Sequence, residues 1–203
     1  MMVAIDSSKS MQVNGAGQLA TEALVTISIA LCRLEVGQIS IMSFGKSVNM
    51  LHPFEMPFSD ATGAQWISKF RFEDEETDVL NLMRTTVPML EDARHNNTGA
   101  AENVQILFVI SDAVFSHRHE CRSWVSEAAA KKQLIVFIIV DTGTDSVLDR
   151  ESFSFSEDGA MCRSAYMDSF PYPFYIVLRD IHNMPQTIGD ALRQWFEMLQ
   201  KAN

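Results

Sequence analysis

The chain has 203 residues, 47% of them in the apolar set AVILMFWYC and 21% charged, which excludes an intrinsically disordered chain and supports one domain around one core. Asp and Glu outnumber Lys and Arg by 26 to 16, a formal net charge of −10 with no basic cluster to interrupt it, so nucleic acid is not an expected direct ligand. The three cysteines, Cys32, Cys121 and Cys162, lie far apart with no CxxC spacing, which excludes a disulfide framework or a structural zinc site and fits a reducing compartment.

No apolar run reaches the roughly 18 residues of a membrane helix, and no basic, cleavable leader opens the chain, so no membrane partner is expected. Residues 1–5 already form an apolar, strand-like run, ended at once by Asp6-Ser7-Ser8-Lys9-Ser10. A chain that opens in mid-core reads as a single domain over residues 1–203 excised from a longer protein. Leu19, Ala23, Ile27, Ala30, Leu31 and Leu34 recur at three- and four-residue spacing and predict a helix over 18–34. Strand-length runs follow at 38–44 and 47–51, joined tightly through Gly45-Lys46, which predicts a hairpin carrying an antiparallel edge strand. The pattern then gives a helix over 77–93, a strand over 104–111, a helix over 120–132, strands over 134–141 and 174–178, and a helix over 185–201. The runs Ile106 to Ile110 and Ile135 to Val140 are apolar on both faces, as in a parallel sheet covered by helices on either side. Residues 94–102 and 143–173 read as irregular. The second is long for a connection and carries Phe153, Phe155, Tyr166, Phe170 and Tyr172, divided between core anchors and a docking surface.

In an open parallel sheet the ligand lies beyond the carboxyl ends of the strands, where strand order reverses. The first strand ends in Asp6-x-Ser8-x-Ser10, whose spacing brings three oxygen groups to one side of an extended or turning backbone. The 104–111 strand ends in Ser111-Asp112, and Thr77 follows the acidic run Glu73-Asp74-Glu75-Glu76 at a loop-to-helix junction. Two carboxylates and three hydroxyls, with no thiolate or imidazole, suit Mg²⁺, with Mn²⁺ or Ca²⁺ as alternatives, rather than zinc. If Ser8, Ser10 and Thr77 ligate directly while Asp6 and Asp112 hold bound waters, the ion keeps most of its charge, and a carboxylate from another molecule completes its shell.

Asp6-x-Ser8-x-Ser10, a loop threonine and a strand-terminal aspartate together resemble the metal-ion-dependent adhesion site of von Willebrand factor A domains, and the likeness extends over the whole order of strands and helices. More narrowly, Ala4 to Met11, Val109-Ile110-Ser111-Asp112, Phe137 to Asp141 with Asp145 to Asp149, and Phe170 to Asp180 followed by Asp190 to Phe196 resemble the C-terminal domain of the midasin family. These are giant dynein-related AAA-type ATPases of large ribosomal subunit assembly. The resemblance implies a Rossmann-like α/β fold, a mainly parallel central sheet with one antiparallel edge strand and helices on both faces. It implies a non-enzymatic domain whose metal ligands are Asp6, Ser8, Ser10, Thr77 and Asp112. It further implies that the domain captures ubiquitin-like domains of pre-ribosomal assembly factors through a partner glutamate, couples them to its own AAA ring, and works in the nucleus. Where many such domains have Gly after the strand-terminal aspartate this chain has Ala113, which restricts the loop to ordinary φ values.

Other readings stay open. Asp6, Ser8 and Ser10 are also common capping residues, Thr77 suits an N-cap with Asp78 in the first turn, and Thr62, Thr85 and Thr86 compete for its place. The run 73–78 is a solvated loop or a source of further ligands. Asp6 or Asp112 as the base of a metal-dependent hydrolase, or an adhesion-type ligand, are the functional alternatives. Gly45-Lys46-Ser47 lacks the first glycine of a phosphate loop, Ser40 standing in its place, and has a hairpin context. His117, His119 and Cys121 would converge on a metal only in an extended backbone. Asn96-Asn97-Thr98 matches a glycosylation sequon.

Overall fold

The computed structural model describes residues 1–35, 37–96, 104–143, 146–155 and 161–190, together with 193 and 197. The sheet is built from β1 (Met2–Asp6), β2 (Ser40–Phe44), β3 (Val48–His52), β4 (Gln105–Ser111), β5 (Gln133–Val140) and a last strand, Tyr175–Leu178, in the order β3-β2-β1-β4-β5 and then that last strand. All neighbours pair in parallel except β2 and β3, whose antiparallel ladder places β3 at the edge. That is the expected hairpin, and it removes the strand-to-helix context a phosphate loop needs.

The helices are α1 (Ala16–Arg33), α2 (Asp60–Lys69), α3 (Val79–His95) and α4 (Arg118–Ala130), and residues 184–190 are also helical. Alternate residues of each central strand separate the core into two layers. Val3, Ile5, Ile106, Phe108, Ile110, Val136 and Ile138 pack with Ala20, Leu24 and Ile27 of α1, with Trp66 of α2 and with Met184. Ala4, Leu107, Val109, Ile135, Phe137 and Ile139 face the other way and pack with Leu82, Met83 and Val87 of α3 and Ala128 of α4. Strands apolar on both faces therefore mean what they predicted, a sheet covered on both sides.

Helix α2 was not predicted. It buries little besides Trp66, so apolar periodicity is weak. Its clearest signal is a capping box, in which Thr62 N–H donates to Ser59 Oγ and Ser59 N–H donates back to Thr62 Oγ1. The 143–173 segment is likewise more ordered than expected: β6 (Glu151–Phe155) and β7 (Met161–Ala165) form a separate two-stranded antiparallel ribbon, followed by a 3₁₀ turn, Tyr166–Ser169. Renumbered in chain order, the last sheet strand is β8. Tyr166 and Tyr172 are buried core residues, Phe170 packs against that core, and Phe153 is exposed; the Phe155 side chain lies outside the described ones. So do Asn97 and Thr98 of the sequon, Asp145, and the 191–201 part of the predicted last helix except for residues 193 and 197.

Candidate metal centre

From β1 the chain moves outward to β2 and β3, and it returns on the other side of β1 as β4. The reversal of strand order therefore lies between β1 and β4, whose parallel register pairs Ile5 with Ile110 and so brings Asp6 and Ser111 to adjacent strand ends. Asp6 is fully buried. Its Oδ2 accepts from Ser111 Oγ at 2.6 Å and its Oδ1 accepts from Ser8 N–H at 2.8 Å, a side-chain turn just after β1. Ser8 is extended and Ser10 lies in the 3₁₀ turn Lys9–Gly15, and their hydroxyl oxygens meet at 2.9 Å. The convergence comes from this turn rather than from one extended strand.

The acidic run is fastened against the same turn. Lys9 N–H donates to Asp74 O and Asp74 N–H to Ser7 O, at 2.7 and 3.1 Å, and Ser7 Oγ lies 2.7 Å from Asp74 Oδ2. Asp78 N–H donates to Gly45 O at 3.0 Å. Gly45 is required at the β2–β3 turn for space, because a Cβ there would stand 2.3 Å from Asp74 Oδ2 and 2.5 Å from its Cβ. Glu73, Glu75 and Glu76 remain exposed, so the run is solvated on one side and structural at Asp74.

This fastening fixes Thr77. The N-cap of α3 is Asp78, whose carboxylate accepts from Asn81 N–H at 2.8 Å, so Thr77 stands one residue before the helix and is not its cap. The competing threonines are engaged elsewhere. Thr62 closes the α2 capping box, and the Thr85 and Thr86 hydroxyls donate to the Asn81 and Leu82 carbonyls of their own helix. Thr77 instead lines a cavity of about 500 Å³ with Ser8 and Ser10, between the acidic loop and residues Val114 to His117. Asp112 lines an adjoining cavity of about 150 Å³, which shares Ser10 and Val114 with the first. Asp112 Oδ1 accepts from Val114 N–H at 3.0 Å, and Ser111 Oγ from Ala113 N–H at 3.1 Å.

Ala113 corrects the sequence expectation. Its φ is +64°, in the left-handed region, so the alanine occupies the conformation a glycine would take freely instead of restricting the loop to ordinary φ. The alternating His117, His119 and Cys121 do not form a site: α4 begins at Arg118, Cys121 is buried, His117 pairs with Glu120 at 2.9 Å, and no three His, Cys, Asp or Glu are placed to hold a metal ion between them among the described residues.

The electrostatics test whether this donor set suits a cation. Burial lifts the Asp6 carboxyl from its usual 3.8 to about 6; hydrogen bonds from Ser111 and Ser8 oppose the rise, and the charge of Asp112 adds to it. No cationic side chain is among the groups acting on Asp6. Asp6, buried with no cationic side chain acting on it, feels the charge of Asp112, and the two adjoining cavities are lined by Ser8, Ser10 and Thr77 and by Asp112; oxygen donors of this kind fit a hard divalent cation. The described site departs from the sequence reading in what supports it. Ser111, Ser7, Asp74 and Gly45 all hold the loops of the site in place. Ser111 beside a strand-terminal aspartate and Gly45 in the hairpin joint carried a local signal, whereas the contact of Asp74 with Ser7 did not.

No protein-family model matches the chain. Over 201 residues, 98% of the chain, it is 36% identical to midasin of Dictyostelium discoideum, and over 207 residues, covering all of it, 30% identical to midasin of Giardia intestinalis. It spans only 3% and 4% of the lengths of these two relatives. Among solved structures, the conserved hypothetical protein BatB from Bacteroides thetaiotaomicron superposes with a TM-score of 0.57 at 13% identity, covering 97% of this chain and 98% of that one. Proximal thread matrix protein 1 of the mussel byssus, solved with a zinc-occupied MIDAS motif, superposes with a TM-score of 0.53 at 14% identity, covering 95% of this chain and 44% of that one. At such identities the structural likeness speaks for the fold. With the sheet order, these likenesses show a von Willebrand factor A-like fold, and the sequence relatives show that the chain is homologous along its whole length to a segment of the midasins.

Proposed function

We propose that this domain is a non-catalytic, Mg²⁺-dependent protein-binding module in which Asp6, Ser8, Ser10, Thr77 and Asp112 hold the ion. The observation that carries the reading is the buried Asp6 carboxylate, which feels the charge of Asp112 and, among the described residues, no cationic side chain, while Ser8, Ser10 and Thr77 line one open cavity. Ser8, Ser10 and Thr77 offer neutral oxygens, while Asp6 and Asp112 supply the charge behind them. The ion, when bound, supplies an undercompensated positive charge that attracts a carboxylate. Asp6 is kept in register by Ser111 and Ser8, and Thr77 by the strap through Asp74 and Gly45, so the donors are arranged before any ligand arrives.

The ligand proposed is a glutamate on a ubiquitin-like domain of a pre-ribosomal assembly factor. Kinship with the midasins, and the likeness of the motif set to their adhesion-site domain, support that choice. In the same reading the domain belongs to a longer chain carrying an AAA-type ATPase ring, which releases the captured factors during large-subunit assembly in the nucleus. The domain's charge of −10 makes approach of an acidic group unfavourable at long range, so the bound cation and a basic partner surface around the glutamate reverse the sign locally. The test is capture of a ubiquitin-like domain on immobilised protein with Mg²⁺ and with excess EDTA, using the partner with its glutamate intact or changed to glutamine. Capture needing both metal and glutamate supports the reading; capture indifferent to either removes it.

A further inference from the structure

The loop after β4 holds an alanine in a backbone region that L-residues avoid, in the position directly after Asp112. Ser111 Oγ takes the Ala113 N–H locally, and Tyr166 reaches the turn from a distant segment. The Tyr166 hydroxyl donates to Ala113 O at 2.8 Å and accepts from Phe115 N–H at 3.3 Å, bridging both sides of the turn. Ala113, Phe115 and Tyr166 are all buried, so these bonds have little competition from water. The tyrosine is itself locked. Arg118, the first residue of α4, stacks its guanidinium 4.1 Å from the ring centroid, donates to Tyr166 O at 3.0 Å, and reaches Ser152 Oγ of β6 at 3.2 Å. Tyr166 N–H in turn donates to Arg150 O at 2.9 Å, at the foot of the β6–β7 ribbon.

We propose that Tyr166 is a positioning residue for the metal loop: its hydroxyl keeps Ala113 left-handed, and thereby keeps the Val114 N–H on Asp112 Oδ1, which fixes the Asp112 carboxylate for a cation. The ribbon between β5 and β8 is thus mechanically joined to the metal centre through Tyr166 and Arg118. Where a glycine would need no external support at position 113, this chain has transferred the support to the ribbon. The inference rests on the reading of Asp112 as part of a metal centre, and its test separates the two.

The experiment uses Tyr166→Phe, which keeps the buried ring, in the natural Ala113 background and in an Ala113→Gly background. Two quantities are measured: the Mg²⁺ dissociation constant by calorimetry, and hydrogen exchange of the Val114 amide in EDTA. Loss of the two buried hydrogen bonds of this hydroxyl predicts a Mg²⁺ dissociation constant about tenfold higher and Val114 exchange about tenfold faster with alanine at 113. With glycine there, the same tyrosine change should cost less than about threefold, because the left-handed turn no longer needs holding. Equal losses in both backgrounds would reduce Tyr166 to a general packing residue, and no change in either quantity with alanine at 113 would overturn the proposal outright. A natural chain that binds no Mg²⁺ overturns the metal reading instead, while Val114 exchange still decides whether the tyrosine holds the turn.

Discussion

A buried carboxylate kept for metal binding should weaken the domain when the metal is withheld. The Asp6 carboxyl is raised from 3.8 to about 6, which corresponds to roughly 3 kcal/mol of opposition between the ionised group and the metal-free fold. Because the folded value is the higher one, Asp6 contributes most favourably below pH 3.8, and that contribution is lost as pH rises through 6. Asp6→Asn removes the charge while keeping a carbonyl oxygen for Ser8 N–H and offering an N–H to Ser111 Oγ. In EDTA at pH 8 the asparagine variant should therefore be more stable than the natural domain by about 1–3 kcal/mol, the lower figure allowing for the reoriented Ser111 hydroxyl. The difference should shrink toward zero as pH falls to 4. Mg²⁺ should close or reverse this gap, since saturation at 100 times the dissociation constant stabilises the natural domain by about 2.7 kcal/mol and the variant by far less. Urea unfolding at both pH values, with EDTA and with Mg²⁺, measures all of this. An asparagine variant less stable than the natural domain in EDTA at pH 8, or one that gains as much from Mg²⁺, would refute the reasoning.

Thr77→Ala should weaken Mg²⁺ binding about tenfold and Thr77→Ser should restore it, whereas Thr85→Ala, whose hydroxyl serves its own helix, should leave it unchanged; calorimetry distinguishes the three. Gly45→Ala forces a methyl onto Asp74 and should destabilise the domain by about 1–3 kcal/mol while also weakening Mg²⁺ through displacement of Thr77, so both the urea midpoint and the metal titration should move. At the end of β5, burial pushes the Asp141 carboxyl up, but hydrogen bonds from Gly143 N–H, Arg179 and Ser146 outweigh that and hold it below 3.8. Its stabilising effect is present above pH 3.8 and is lost as pH falls below that value. Arg179→Gln should therefore lower the thermal midpoint clearly at pH 7, by an amount that shrinks progressively as pH falls below 3.8.

The parts of the fold legible in the sequence are those whose signal is apolar periodicity. Both-sided apolar runs such as Ile135 to Val140 announce a buried parallel strand, and the Leu19 to Leu34 stripe announces α1. Helix α2 escaped because it is held mainly by one residue, Trp66, and by a cap. The β6–β7 ribbon escaped because all five residues of β7 are exposed, so no alternation marks it. At the metal centre, the Asp6-x-Ser8-x-Ser10 spacing and the strand-terminal Asp112 were readable because they are local. The strap from Gly45 to Asp74, the Asp6–Ser111 hydrogen bond, 105 residues apart in sequence, and the Tyr166 support of Ala113 are long-range contacts that no local pattern encodes. The left-handed Ala113 is a case where propensity pointed the wrong way, and the tertiary contact that overrides it is identifiable.

The most direct test of the central claim is a calorimetric titration of this domain with a ubiquitin-like domain of a pre-ribosomal assembly factor, in Mg²⁺ and again in excess EDTA. A metal-bridged carboxylate predicts saturable binding in Mg²⁺ that disappears in EDTA and with Asp6→Asn, while circular dichroism shows the fold retained. Unchanged affinity in EDTA would contradict it.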